Sequence, residues 1–310
     1  MEFQHKSVLR DECIENLNIR PDGIYLDGTL GGAGHSYEIA RRLTTGRLIG
    51  VDRDTVALEA AGKRLAEFSS RVTLVHDNFE NLANILDSLG IDKIDGMLFD
   101  LGVSSPQLDE GERGFSYMVD APLDMRMNRE DVLTAYEVVN TYPREELRRI
   151  FFTYGEERYS PLIAAAIERR RAEKPIQSTL ELADIIRSAM PPQALREKQH
   201  PAKRVFQAIR IAVNDELGAV SRMMQDAPDR LNIGGRLCVI SFHSLEDRIV
   251  KNEMQAAAKG CTCPPQFPVC VCGNKPKLRV VSRKPIVSTE EELNENPRAR
   301  SAKLRVAERI

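Results

Sequence analysis

Residues 24–35 read IYLDGTLGGAGH and decide the fold of this chain. Three apolar residues of strand type lead to an acid, Asp27, and the next seven residues, 28–34, include four glycines. A helix-like pattern, SYEIARRL, begins at Ser36. In open α/β sheets a strand, a glycine-rich turn and a helix in this order build a nucleotide site, because glycine lets the backbone approach a ligand closely. The stretch therefore predicts a bound nucleotide or nucleoside.

Length and composition limit the class of protein. The chain has 310 residues, 42% hydrophobic and 29% charged, which is typical of a globular protein with room for one large domain or two. Its net charge is −2, so any binding of nucleic acid must use local basic patches. The N-terminus is polar, and no apolar run approaches the ~18 residues that a membrane helix needs. These features predict a cytoplasmic protein.

Acidic residues end three of the strands that the pattern predicts. Strands at 24–27, 47–52 and 94–100 end in Asp27, Asp52 and Asp100, and another is predicted at 72–76. Strands that alternate with helices predict a parallel sheet, whose carboxyl ends bind ligands. An acid about 20 residues beyond a glycine loop suits the hydroxyls of a ribose, which is the role predicted for Asp52. Asp54 or Thr55 is expected to cap the following helix.

The alternation stops after Asp100. Helical segments separated by prolines occupy most of 131–200, and they predict a helical insertion at 110–203. The α/β pattern resumes with a long amphipathic helix at 203–226, so the α/β domain is expected to comprise 1–109 and 204–310. The last predicted strand, near 301–307, alternates apolar and polar residues as an antiparallel edge strand does.

The glycine loop excludes two common nucleotide sites. Dinucleotide-binding loops read G-x-G-x-x-G, but Gly34 is followed by His35-Ser36-Tyr37, and no Gly-Lys-Ser/Thr of a P-loop is present. A nucleoside ligand without a pyrophosphate fits better, and S-adenosylmethionine is such a ligand. Phe79, after the third strand, is expected to pack on the adenine, although a core aromatic is the alternative interpretation.

Further motifs give the chain a specific resemblance along essentially its whole length. It resembles the class I S-adenosylmethionine-dependent methyltransferases, and more narrowly the bacterial 16S rRNA (cytosine-N4)-methyltransferase family, RsmH (MraW). The motifs that carry the resemblance are 18–23 (NIRPDG), 27–29 (DGT), 52–54 (DRD), 100–109 (DLGVSSPQLD), 113–116 (RGFS), 122–127 (PLDMRM), 154–158 (YGEER), 200–202 (HPA), 241–248 (SFHSLEDR) and 296–301 (NPRARS).

The resemblance implies a fold, a reaction and a cofactor site. The fold is a Rossmann-like, seven-stranded class I methyltransferase sheet with an inserted helical domain for substrate recognition. The reaction is methylation of a cytidine N4 in the decoding region of 16S rRNA within the small ribosomal subunit, without DNA or membrane partners. The implied cofactor residues are Ala33, Gly34, His35, Asp52, Phe79, Asp100 and Gln107.

The exocyclic amine of cytosine is a poor nucleophile, so its methylation requires precise positioning. Asp100 with the loop residues Ser105 and Pro106 is the predicted catalytic group, which would accept a hydrogen bond from N4. A pure cofactor contact is the alternative role for Asp100. Phe115 or Tyr117 is expected to provide the surface on which the base stacks.

Cys13 and Cys238 stand alone in apolar-periodic stretches and are expected to be small core residues. The other four cysteines form two C-x-C pairs, Cys261/Cys263 and Cys270/Cys272. Such a cluster can hold one zinc ion, and reduced thiols without metal are the alternative. Cys263, which precedes a proline, also raises the alternative of RNA cytosine-C5 methylation through a cysteine nucleophile. A third hypothesis is a non-catalytic rRNA-binding assembly factor. Basic residues in 274–310 and at Arg169–Arg171 are the predicted RNA contacts.

Overall fold

The computed structural model describes residues 7–197, 199–261, 263–264, 266–269 and 271–310, and for residues 105 and 106 it describes the backbone only. Within this part the chain forms two compact units. The first unit comprises the described residues up to Gly102 and those from Leu217 onward. The second unit is Val103–Glu216.

A seven-stranded sheet forms the centre of the first unit. Its strands are β1 (Ile24–Asp27), β2 (Arg47–Asp52), β3 (Val72–His76), β4 (Ile94–Asp100), β5 (Leu231–Ser241), β6 (Leu278–Val280) and β7 (Lys303–Arg309). Their order is β3-β2-β1-β4-β5-β7-β6, with β1–β5 parallel and β7 antiparallel to β5 and β6. The prediction that the last strand lies at the edge is wrong, because β6 pairs with its outer side.

The helices alternate with these strands and fill the second unit. They are α1 (Arg10–Leu17), α2 (Gly34–Ala40), α3 (Thr55–Arg64), α4 (Leu82–Ser88), α5 (Ser105–Asp109), α6 (Ala135–Thr141), α7 (Arg144–Gly155), α8 (Ser160–Glu173), α9 (Thr179–Ala189), α10 (Lys203–Asn214), α11 (Glu216–Asp226), α12 (Ser244–Ala258) and α13 (Glu290–Glu295). None of the helices described here is long and apolar enough to cross a membrane.

Alternating strand residues build one core on each face of the sheet. Tyr25 and Leu98 belong to the core that includes residues of α1 and α2. Leu26 and Phe99 belong to the opposite core, which includes residues of α4 and α12. Burial on both faces explains why the central strands read as continuous apolar runs. Cys13 and Cys238 are fully buried in the first of these cores, which confirms their prediction as small core residues.

The second unit is a helical domain with its own core. α7 packs against α10 and α8, and α8 packs against α9. The unit is wider than the predicted insertion of 110–203, since Val205, Phe206 and Ile209 of α10 belong to this helical core. The single long helix predicted at 203–226 is wrong: the chain breaks at Asp215, whose φ of 45° is left-handed. α10 therefore ends there and α11 begins as a separate helix.

Candidate active site

The glycine loop leaves β1 at the point where the order of the sheet reverses. β1 lies between β2 and β4, and this reversal is where open α/β sheets bind ligands. The register pairs Asp27 with Gly50 and with Leu98, so Asp52 and Asp100 each lie two residues further along their strands. Two acids thus flank the start of the loop at the carboxyl edge of the sheet.

Asp27 holds the glycine loop through hydrogen bonds at both of its ends. Its side chain is buried, and its two oxygens accept hydrogen bonds from the Ser36 hydroxyl at 2.6 Å and from the Thr29 N–H at 3.2 Å. Burial raises the pKa of Asp27 to about 7, although both hydrogen bonds favour the charged form. Asp27 ties the end of β1 to the first turn of α2 and so sets the path of the loop between them.

The loop has a backbone shape that few residues adopt. Gly31 and Ala33 have φ of 45° and 54°, which is left-handed backbone and is costly for alanine. Arg64 donates to the Gly32 carbonyl at 2.7 Å and holds the turn from α3. A Cβ on Gly32 would meet nothing within 4 Å, so open space adjoins the loop at this residue.

Gly28 is the position where the loop passes closest to the core. A Cβ on Gly28 would lie 2.3 Å from the ring of Phe99, which is fully buried. Alanine at 28 requires the Phe99 ring or β1 to move, and overpacking of this kind typically costs about 1–3 kcal/mol.

We therefore expect Gly28→Ala to lower the thermal midpoint of unfolding by several degrees and Gly32→Ala to leave it unchanged. The two variants make the same chemical change within one loop, but only the first adds a methyl group where an aromatic ring already lies. Differential scanning calorimetry of both proteins measures the effect. Equal midpoints would contradict the close packing at Gly28.

Asp52 holds the other side of the loop. Its Oδ2 accepts the Gly31 N–H and its Oδ1 accepts the Asp54 N–H, both at 2.9 Å. Burial raises the pKa of its carboxyl. Asp54 caps α3 by accepting the Val56 N–H, which confirms the cap predicted at Asp54 or Thr55. The carboxylate of Asp52 therefore orders the glycine loop.

Asp100 carries an oxygen without a hydrogen-bond partner. The Asp100 N–H donates to the Thr29 hydroxyl at 2.6 Å, which joins the end of β4 to the glycine loop. About 25% of the side chain is exposed, but Oδ1 is buried and makes no hydrogen bond in the described structure. Burial, with Asp27 and Glu246 nearby, raises the pKa of Asp100 to about 8. An unsatisfied buried acceptor is costly, and a ligand with N–H groups or positive charge would satisfy it.

His35 faces Asp100 from the start of α2. The ring is buried, its Nε2 lies 3.1 Å from the Val8 carbonyl, and its Nδ1 lies 3.9 Å from Asp100 Oδ2. Burial lowers the pKa of His35 to about 4, so the ring is neutral at pH 7. A carbonyl only accepts, so Nε2 carries the hydrogen and Nδ1 is an acceptor. His35 Nδ1 and Asp100 Oδ2 thus form a pair of acceptors with room between them.

Phe79 begins a short 3₁₀ helix after β3 and packs edge-on against Phe99, with ring centroids 5.7 Å apart. It is only partly buried in the core below the sheet edge. One side of the ring packs on the core, as the core interpretation predicted, and the contact of the exposed side with adenine stays a prediction.

Three further predicted site residues, all on α5, belong to the second unit. Gln107 on α5 is buried, and its Oε1 accepts the Ser104 N–H at 3.1 Å. Ser105 and Pro106 begin α5, and their side chains lie outside the described structure. The roles of these residues in binding or catalysis remain predictions.

Phe115 is wrong as a stacking surface for the base. It is only 7% exposed and packs in the core of the second unit, where Gly114 turns the chain with a φ of 73°. Tyr117 is partly exposed and stacks on His200, with ring centroids 4.5 Å apart and ring planes inclined by 12°. Tyr117 is therefore the better candidate of the two.

The Arg169–Arg171 cluster is mostly engaged inside the second unit. Arg171 donates to the carbonyls of Val139 and Tyr142, and Arg170 pairs with Glu181 at 2.7 Å. Of these three arginines, only Arg169 is exposed. A run of arginines looks the same in sequence whether it contacts solvent or caps a helix, and here two of the three stabilise the fold.

Several basic residues near the C-terminus also have acidic partners. Lys303 and Arg305 both pair with Asp247, and Arg279 pairs with Glu308. Arg283 and Lys284 are exposed. This region therefore offers fewer cations to a nucleic acid than its sequence suggests.

Thr29 is a site residue to which the sequence analysis gave no role, although it stands in the DGT motif at 27–29. It donates its N–H to Asp27, and its hydroxyl accepts the Asp100 N–H, so it connects two of the strand-end acids. Its place in this motif, two residues after a strand-end acid, is the signal that the sequence carries. The sequence showed Asp27 as a strand-end acid, but only the structure showed that its side chain is buried.

The seven-stranded sheet, with acids at the carboxyl ends of β1, β2 and β4, is the Rossmann-like fold of class I methyltransferases. A family model described as the MraW methylase family matches residues 2–310, and the chain belongs to that family.

Relatives match over the full length. Proteins named ribosomal RNA small subunit methyltransferase H from Lachnospira eligens and Brevibacillus brevis are each 57% identical over 100% of this chain and 99% of their own. The protein of that name from Clostridioides difficile is 55% identical over 100% of both chains. An rRNA methylase structure from Streptococcus thermophilus aligns with 97% of this chain and 93% of its own at a TM-score of 0.42 and 12% identity, too distant to bear on function.

Proposed function

We propose that this protein transfers a methyl group from S-adenosylmethionine to N4 of a cytidine in the decoding region of small-subunit rRNA. The family and the names of relatives at 55–57% identity support an rRNA substrate. The observation that carries the chemistry is the buried, unpartnered Oδ1 of Asp100 at the carboxyl end of β4. Acting on a ribosomal subunit, the enzyme would work in the cytoplasm.

The residues at the sheet edge fit this cofactor. Asp52 offers a carboxylate for ribose hydroxyls, and the accessible part of Phe79 offers a surface for adenine. Asp100 and the Nδ1 of His35 are two acceptors suited to a cationic amino group. The open space beside Gly32 leaves room for the part of the cofactor that joins its amino group to its ribose. When bound, S-adenosylmethionine supplies a methyl group activated by a sulfonium.

In the proposed mechanism the protein acts mainly by positioning. Transfer of the methyl group would leave N4 of the cytosine protonated, and this N4 would then have to lose a proton. Asp100 Oδ1 accepts a hydrogen bond from N4. This hydrogen bond orients the lone pair of N4 toward the methyl carbon. Burial favours uptake of that proton by the Asp100 carboxylate, which binds the cationic cofactor in its ionised form.

Labelled methyl transfer to undermethylated small subunits, followed by nucleoside mass spectrometry, tests the proposal. We expect N4-methylcytidine. C5-methylcytidine would replace the proposal with the cysteine mechanism through Cys263. No methylated product, with the cofactor bound, would favour an rRNA-binding assembly factor.

The pH dependence of cofactor affinity is a separate expectation. Asp100, with a pKa of about 8, is mostly protonated at pH 6, and a cationic ligand binds its ionised form. Binding therefore releases a proton, and affinity rises with pH by up to about tenfold per unit below the pKa and levels off above it. Isothermal titration calorimetry from pH 6 to 9 measures this. The slope should disappear in Asp100→Asn, and a slope that persists there would assign the effect to another group, such as Asp27.

A further inference from the structure

The segment between α12 and β6 is held by little apolar packing. Among its described residues, 259–277, there is no helix or strand. Phe267, Val269 and Val271 are 49%, 69% and 73% exposed. A connection of this length without a core needs another source of order, and its cysteines are the side chains that come together.

Three thiols of this segment share one site. The sulfur atoms of Cys261, Cys263 and Cys272 all lie within 4.8 Å of one another, and those of Cys261 and Cys272 are 3.7 Å apart. A disulfide would bring two sulfurs to about 2.0 Å. Two thiolates on one tetrahedral zinc ion, with Zn–S bonds of about 2.3 Å, lie about 3.8 Å apart. The distance between the Cys261 and Cys272 sulfurs is that of two ligands on one metal ion, and the Cys263 sulfur lies close enough to join them.

Backbone N–H groups point at each of these sulfurs. The Cys263 N–H donates to Cys261 Sγ at 3.4 Å, and the Val271 N–H donates to Cys263 Sγ at 3.3 Å. The Asn274 N–H donates to Cys272 Sγ at 3.5 Å. A neutral thiol is a weak acceptor, whereas a thiolate is stabilised by such donors. One N–H for each sulfur is the outer shell expected around metal-bound thiolates.

The backbone of Gly273 allows the last of these contacts, which the Asn274 N–H makes. Its φ of 66° is left-handed, and a Cβ there would meet nothing within 4 Å. The glycine is therefore used for its backbone, which turns sharply after Cys272 and brings the Asn274 N–H back to the sulfur.

We propose that Cys261, Cys263 and Cys272 bind one Zn²⁺ ion as thiolates and that this ion orders the segment between α12 and β6. Thiolate ligands select zinc among the abundant divalent ions. The sequence supplies a further cysteine on the same segment, Cys270, which lies outside the described residues. The site is structural, and a Cys263 bound in this way is not available as a nucleophile toward cytosine C6.

Metal analysis of the full-length protein tests the site independently of methyl transfer. The protein is purified under reducing conditions, incubated with zinc, dialysed and analysed by mass spectrometry for metals. We expect about one zinc per chain, and cobalt in its place should give the strong thiolate-to-cobalt absorption of a tetrahedral site. Zinc below a tenth of an equivalent, or cobalt spectra without thiolate bands, would overturn the proposal.

Matched variants assign the ligands. Cys263→Ser and Cys272→Ser should each lose most of the zinc, whereas Cys13→Ala, which removes a buried thiol elsewhere, should keep it. Circular dichroism checks that each variant is folded. Retention of zinc in a folded Cys263→Ser, Cys272→Ser double variant, or equal loss in Cys13→Ala, would reject these ligands.

Discussion

Asp100→Asn should reduce the rate of methyl transfer by about 10²–10³-fold at saturating cofactor, the loss typical when one preorganised catalytic hydrogen-bonding group is removed. Asparagine keeps the size of the side chain and its link to the loop through the Asp100 N–H. It removes the charge and the group able to take a proton from N4. Single-turnover measurements with labelled cofactor separate this step from binding.

The same change in the turn before β1 provides the control. Asp22 is exposed in the turn before β1, so Asp22→Asn should leave the rate unchanged. Full turnover of Asp100→Asn at saturating cofactor would remove Asp100 from the chemistry. It would then be a cofactor contact, with its effect confined to the dissociation constant.

Asp52→Asn is expected to raise the dissociation constant of the cofactor about tenfold to hundredfold, since hydrogen bonds to a charged group are worth about 1.5–3 kcal/mol. Two effects act together. The carboxylate is lost as a partner for ribose hydroxyls, and the hydrogen bond from the Gly31 N–H that orders the loop is weakened. Isothermal titration calorimetry measures the constant directly.

Asp54→Asn is the matched control for this effect. Asparagine caps helices as well as aspartate does, so α3 should keep its start and affinity should not change. Equal losses in both variants would show that α3, rather than the Asp52 carboxylate, determines affinity. An unchanged constant in Asp52→Asn would exclude the predicted ribose contact.

The sequence predicted features that follow from local pattern. Alternating strands and helices gave the parallel order of β1–β5, and strand-end acids marked the edge of the sheet that holds the candidate site. Asp54 as a cap and Cys238 as a core residue were also readable, because capping and burial depend on near neighbours or on periodicity.

Features that depend on distant partners were not readable. Phe115 and Arg171 are an aromatic and a cation in the sequence whether they face a substrate or the protein, and their partners are far along the chain. The amphipathic pattern runs through Asp215, so the break between α10 and α11 had no periodic signal. The alternating pattern of β7 likewise did not show that β6 pairs with its outer side.

The contact of Gly28 with the Phe99 ring, which in turn meets Phe79 edge-on, makes three positions of the site interdependent. A larger residue at 28 becomes tolerable only with a smaller one at 99, and that exchange removes the support beneath Phe79. Divergent forms of this site must therefore change these positions together, and the effects of single replacements among them will not add.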